Sequence, residues 1–514
     1  MIMPNRSRGL RAGAVMAALA AALAMTVPLP AVAADSIRVA TPYKATTLDP
    51  MRSASSGNLE IYGQLYARLL HRDPQTGELG PGLAERWDIS PDGKIYTFHL
   101  RDATFSDGSP LTADDVAFSL ERVRSDKESA YPAPLGAVES IRAADPKTVV
   151  VTLKSSFAPF LGNIEIWNMG VVSKGDVEKR GAEKAFAEAP LASGPYMAKE
   201  WKANERLVLA PNPHYWREGY PKSDAAVEFI EVASPETRVA MLKAGEADVV
   251  RGVQWTQIAD LKATEGVDMR LEPSTTIYMV LLNSKREPFS NLQARQAAAH
   301  AVDNKAVTQA ITQGFATAAN TTLPGAIDFH DDEYPGIAHD PVKAKELLQA
   351  SGMEGREVKI LATSGAAEQQ LALILQAQWQ AVGLKPVITN VDTGAWGDAT
   401  GKGDYDATAT WWYNETSDPD LAVRWAVCGS CGSNSYNTFY ANEKVDQLVE
   451  QGTTESDPAK RAEIYKQIQR ITTEEVAQIP LYYAPNAVAY STRLSGLKLT
   501  PALQWTFEDA TLNP

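Results

Sequence analysis

The sequence predicts an α/β chain of more than one domain. Segments with strand and helix patterns alternate along most of its length. One strand-helix-strand unit can be read late in the chain together with its caps. A length of 514 residues is more than one hydrophobic core organises, so two or three domains are expected.

The elements follow in order. Arg6, Arg8 and Arg11 precede an apolar run from Ala12 to Val27, and Pro28, Pro30 and the small residues Ala31, Ala33 and Ala34 come next. This is the pattern of a secretory signal peptide, residues 1–34, removed on export. No cysteine follows the run to carry a lipid tether, so a soluble periplasmic protein is expected. Lys94 to Leu100 alternates, with Tyr96, Phe98 and Leu100 on one face, and Val149 to Leu153 is a β-branched run; both read as strands. Between them, Thr112-Ala113-Asp114-Asp115 has capping-box spacing ahead of Val116, Leu120 and Val123 on one helical face. Asp340-Pro341 starts a helix that ends at Gly352. Val358 to Leu361 is followed by a helix with Leu371, Ile374, Leu375, Trp379 and Val382 on one stripe, by Gly383 as its stop, and by a strand from Pro386 to Val391.

Charge and cysteine usage narrow the function. Without the three leader arginines, the net charge of −14 becomes −17, which disfavours nucleic acid as a partner. The two cysteines, Cys428 and Cys431, lie in a Gly/Ser loop and read as a structural disulfide in an oxidising compartment; no following helix start marks them as a redox pair. His330 and His339 bracket Asp331, Asp332 and Glu333, but this reads as a solvated connection, and no two of the six histidines have i, i+4 spacing. No metal and no cofactor are expected.

Three sets of segments are more specific. The first is Thr46-Thr47-Leu48-Asp49-Pro50 with Ile61-Tyr62-Gly63-Gln64-Leu65-Tyr66-Ala67-Arg68-Leu69-Leu70. The second joins Pro81-Gly82-Leu83-Ala84-Glu85-Arg86-Trp87, Ser90-Pro91-Asp92-Gly93, Phe98-His99-Leu100-Arg101 and Phe105-Ser106-Asp107-Gly108 to the Thr112 capping box. The third is Gly194-Pro195-Tyr196, Asn212-Pro213-His214-Tyr215-Trp216 and Gly245-Glu246-Ala247-Asp248. As a set, over essentially the whole mature chain, they closely resemble the peptide/nickel/opine family of extracellular solute-binding proteins. The resemblance implies a three-lobed Venus-flytrap fold with hinge strands, a small-molecule ligand enclosed between lobes, and an ABC permease with ATPase subunits that receives it. It divides the chain into lobe I (35–80, 190–285 and a return at 491–514), a family-specific lobe II (81–189) and lobe III (286–490). The protein is expected to act as a monomer.

The strand from Asp404 to Tyr413 alternates Ala407, Ala409 and Trp411 with Thr408, Thr410 and Trp412. Trp411 reads as core and Trp412 as the residue lining a cleft, followed by Tyr413, Asn414 and Glu415 beyond the strand's carboxyl end, where open α/β sheets collect ligands. In dipeptide binders a carboxylate at the matching position grips the ligand's ammonium beside a tryptophan three residues earlier; Trp412 and Glu415 match, with Glu in place of Asp. Those binders also carry an arginine for the ligand carboxylate where this chain reads Ala366-Ala367-Glu368-Gln369-Gln370, so a strict dipeptide specificity does not follow. Ser53, Ser55, Ser56, Trp255 and Tyr278 are further ligand candidates for an amphipathic solute, and Arg251 and Arg424 are basic alternatives for an acidic group.

The resulting expectation is a binding protein for a peptide or similar amine-bearing solute, with an opine, sugar or metal complex as the alternative on the same fold. A secreted hydrolase is the rival from another class. No G-x-S-x-G elbow, H-E-x-x-H run or close Ser/His/Asp signature supports it. A sensor that signals by the same closure is a further alternative.

Overall fold

Two strands of unusual length organise the structure, a computed structural model that describes residues 36–73, 77–187 and 189–513. Val267–Leu282 and Gln478–Ser491 run antiparallel, from Val267 opposite Ser491 to Leu281 opposite Gln478. They form the middle of an eleven-stranded mixed sheet. On one side of the pair lie Ala407–Tyr413, Glu357–Ala362 and Lys385–Asn390; on the other lie Val249–Val250, Ser36–Thr41, Ala226–Glu231, Arg206–Pro211 and Tyr196–Lys202, and the short strand Thr317–Ala318 pairs with Gln478–Ser491 off this path. The register slips between Glu272 and Thr276, where the Ser274 hydroxyl donates to the Ala484 carbonyl at 2.5 Å. Below this irregularity Met269 and Ala489 pack into one core, and above it Val280, Ile479 and Leu481 pack into another. By contact, residues 35–514 cluster as one compact unit, and the two strands that run through both halves of the sheet account for this.

A second sheet of four antiparallel strands has the order Ala84–Ile89, Ile95–Leu100, Thr148–Leu153, Val138–Asp145. As the alternation predicts, Tyr96, Phe98 and Leu100 are buried, and they share a core with Val116 and Leu120 of helix Ala113–Ser125. That helix starts with the predicted capping box between Thr112 and Asp115.

The late strand-helix-strand unit forms as read, with Glu357–Ala362 parallel to Lys385–Asn390 and helix Ala366–Val382 between them. Leu371, Leu375, Trp379 and Val382 face the core, and the buried Trp379 indole donates to the Ala298 carbonyl at 3.0 Å. Gly383 ends the helix at φ 110°, a left-handed conformation that costs any residue with a Cβ. The helix Pro341–Ser351 is capped by the Asp340 carboxylate, which accepts from the Val342 and Lys343 amides. Asp340→Ala removes both bonds and is expected to cost about 1 kcal/mol in urea denaturation. The leader, residues 1–34, lies outside the described residues.

Candidate functional site

The strand Ala407–Tyr413 pairs with the upper part of Val267–Leu282, placing Trp411 opposite Tyr278, Trp412 opposite Ile277 and Tyr413 opposite Thr276. On its other side Tyr278 pairs with Tyr482. Side chains directly opposite in neighbouring strands point to the same face, so Tyr482, Tyr278 and Trp411 form a row across three strands. Ring centroids are 4.6 Å apart for Tyr482 and Tyr278 and 6.3 Å for Tyr278 and Trp411, and Tyr413 continues the row 6.4 Å from Trp411. All three pairs are stacked.

This register reverses the expected roles of the two tryptophans. Trp411 is 38% exposed, whereas Trp412 is 8% exposed and packs with Ile277, Met279 and Val423. Both faces of this strand are covered along most of its length, by Ala407 and Ala409 on one side and Thr408 on the other. The cover ends first on the Trp411 side. Alternation defines two faces but not which one loses its packing.

Glu415 lies two residues beyond the strand and is half-buried. Its Oε2 accepts from the hydroxyl of Tyr131 at 2.9 Å, and Tyr131 packs against the core of the four-stranded sheet. Burial raises the Glu415 carboxyl pKa above its usual 4.5, while a backbone amide and Tyr131 oppose the rise. Among the described residues no cationic side chain lies within 4 Å of this carboxylate. Asn414, 2% exposed, shapes the loop: its amide nitrogen donates to the carbonyls of Thr416 and Asp418 at 2.8 and 2.9 Å. Asp418 is gripped by Arg461 at 2.8 and 3.1 Å, and the fully buried Asp420 is held by Arg424 at 3.1 Å and Thr453 at 2.5 Å. The Thr453 carbonyl also accepts from the Ala158 amide at 2.8 Å, a second bond to the four-stranded sheet's side.

The other predicted residues make contacts within the chain. Arg424 is engaged by Asp420, Glu450 and Thr453. Arg251 is 2.6 Å from Glu60, with both side chains almost fully buried, and its guanidinium lies 4.3 Å from the Trp505 ring centroid. Both arginines already pair with carboxylates of this chain. Ser53 and Ser55 bond each other at 3.1 Å ahead of helix Ser56–Leu65 and form a local turn. Trp255 opens helix Trp255–Ala263 and packs against the cores on both sides of the strand irregularity. Cys428 and Cys431 form a disulfide with a Cα–Cα distance of 5.4 Å. Asp331 turns inward to Arg470 at 2.7 Å, so the acidic loop beside His330 does not converge on one point. Sequence reading missed Tyr131 and Tyr482; neither carries a local motif.

Comparison with known proteins gives the context. The family model for bacterial extracellular solute-binding proteins, family 5 Middle, matches residues 78–434. A glutathione-binding protein GsiB from Escherichia coli O1:K1 / APEC is 30% identical over 513 residues, covering 98% of this chain and 99% of the relative. HbpA2 from Haemophilus parasuis superposes with a TM-score of 0.81 at 25% identity, covering 93% of this chain and 100% of that one. The ABC transporter-associated periplasmic binding protein DppA from Helicobacter pylori, in complex with peptide STSA, gives 0.82 at 24%, covering 93% and 98%. The chain belongs to the family 5 bacterial extracellular solute-binding proteins and has their three-lobed flytrap fold, with the ligand cleft between lobes.

Proposed function

We propose that this protein captures a peptide or similar amine-bearing solute in the periplasm, holds its ammonium at Glu415, and delivers it to an ABC permease with ATPase subunits. The observation that carries this reading is the half-buried Glu415 carboxylate, which has a hydroxyl donor and, among the described residues, no ion-pair partner. A carboxylate in such a place is costly until a positive group arrives. An enclosed ammonium supplies the missing charge and donates hydrogen bonds to an acceptor already oriented by Tyr131. GsiB is named for glutathione and DppA is complexed with a short peptide. Both ligands carry an ammonium, which supports the same chemistry here.

Closure is the working step. Tyr131 joins the four-stranded sheet's side to Glu415 itself, and Ala158 joins it to Thr453 of helix Glu443–Thr454, which in turn donates to Asp420. A ligand that touches both sides favours the closed form by the contacts it makes only there. The protein binds as a monomer and performs no chemistry on the solute. The lobes divide at the boundaries the resemblance implies.

Mass spectrometry of whatever small molecule is released on denaturing protein purified without added ligand tests the proposal. A peptide or other amine is the expected result. A sugar, or an acid without an amine, would remove Glu415 as anchor.

A further inference from the structure

A second carboxylate, that of Glu368, acts on two members of the row of stacked rings. Glu368 is the third residue of helix Ala366–Val382, half-buried, and its neighbour Ala367 packs against the same core as Tyr278 and Trp255. Its charge lies close enough to oppose ionisation of both Tyr278 and Tyr482. Among the described residues Glu368 has no ion-pair partner within 4 Å. A carboxylate in the first turn of a helix is stabilised by the helix dipole, and that accounts for its charge type. It does not account for the aromatic surroundings.

Tyr482 supplies an independent observation. The side chain is fully buried, its ring is stacked 4.6 Å from Tyr278, and among the described residues its hydroxyl has no hydrogen-bond partner. A buried hydroxyl left unpaired is costly, and here it lies in the field of a carboxylate. Ring faces attract cations, Trp most strongly, and Trp411 is the exposed member of this row. Aromatic faces, an unpaired hydroxyl acceptor and a carboxylate without a countercharge together describe the surroundings of a bound cation.

We infer that Glu368, Tyr482, Tyr278 and Trp411 form a second, cation-receiving subsite, so that the captured solute carries a basic group, an ammonium or guanidinium, in addition to the ammonium held at Glu415. This rests on the reading of Glu415 as the first anchor. It narrows the ligand class to basic peptides or solutes with two amines.

The test uses calorimetric titration of the mature protein with two isosteric pairs: alanyl-lysine against alanyl-norleucine, and alanyl-alanyl-lysine against alanyl-alanyl-norleucine. In at least one pair the wild type is expected to prefer the lysine peptide by about tenfold, and Glu368→Gln is expected to abolish that preference while leaving the norleucine peptide's affinity unchanged. A merely structural role for Glu368 would weaken both members of a pair alike and would overturn the subsite. Equal binding of both members by the wild type would overturn it too, with the Glu415 anchor left standing. If no peptide binds and denatured protein releases no amine, the anchor reading falls and takes the subsite with it.

Discussion

Glu415→Gln is expected to weaken binding of an amine-bearing ligand at least tenfold, about 1.4 kcal/mol, while the ligand-free protein becomes more stable. Glutamine has nearly the same shape and can still accept from Tyr131, which now lies 2.9 Å from Oε2. What it lacks is the charge. Losing one partner of an enclosed ion pair costs about 2–5 kcal/mol, so tenfold is the lower bound. Stability moves the other way because burial raises the pKa of this carboxyl in the folded state. A raised folded-state pKa contributes stability that is present below the unfolded value and is lost as pH rises through the folded value. At neutral pH the ionised group therefore weakens the ligand-free wild type, and the glutamine variant, free of that penalty, should gain on the order of 1 kcal/mol in urea denaturation. Binding has the matching pH dependence: wild-type affinity should fall as the pH drops through the raised pKa, and the variant's weaker affinity should show no such step. Calorimetric titration at pH 7.5 and at pH 5, together with denaturation curves, separates the cases. An unchanged dissociation constant would remove the anchor, and loss of both binding and stability would make Glu415 a structural residue.

The site shows which kinds of information a sequence holds. The unit from Glu357 to Asn390 was legible because its signals are local: a 3.6-residue apolar stripe, a Gly383 that adopts φ 110°, and strands on either side. Asp340 was legible as a cap for the same reason. Trp411 and Trp412 were not, since alternation assigns residues to opposite faces and only the neighbouring elements decide which face stays covered. Arg251 and Arg424 looked available because their partners Glu60, Glu450 and Thr453 cannot be inferred from spacing. Tyr131, 284 residues from the carboxylate it binds, has no local signature. Arg238 is similarly hidden: nearly fully buried, it donates to the carbonyls of Val232, Ala233, Arg251 and Gly252 and fixes the turn that follows Val249–Val250.

That turn sets up the largest stability effect. Arg251→Met is expected to destabilise the protein by about 3–5 kcal/mol at neutral pH, the cost of leaving a buried charge without its partner. Glu60 is 3% exposed, its Oε2 lies 2.6 Å from Arg251 Nη1, and among the described residues its Oε1 has no hydrogen-bond partner. Burial already raises the Glu60 pKa, and Arg251 is the one group that opposes the rise. Removing the guanidinium leaves burial unopposed, so the variant's folded state holds the Glu60 proton to higher pH than its unfolded state does. Stability from this group is then present below the unfolded pKa and lost as pH rises through the folded one, which makes the deficit small at pH 4 and large at pH 7.5. The double variant Glu60→Gln, Arg251→Met should recover most of the loss, because no charge is left behind in the core. Part will persist, since the guanidinium also lies 4.3 Å from the Trp505 ring centroid and 5.4 Å from that of Tyr43. Urea denaturation of the two single variants and the double variant at both pH values gives the coupling directly. Equal losses in the single Arg251 variant and the double variant would mean that Arg251 stabilises the turn by packing on Trp505 and that its charge is incidental.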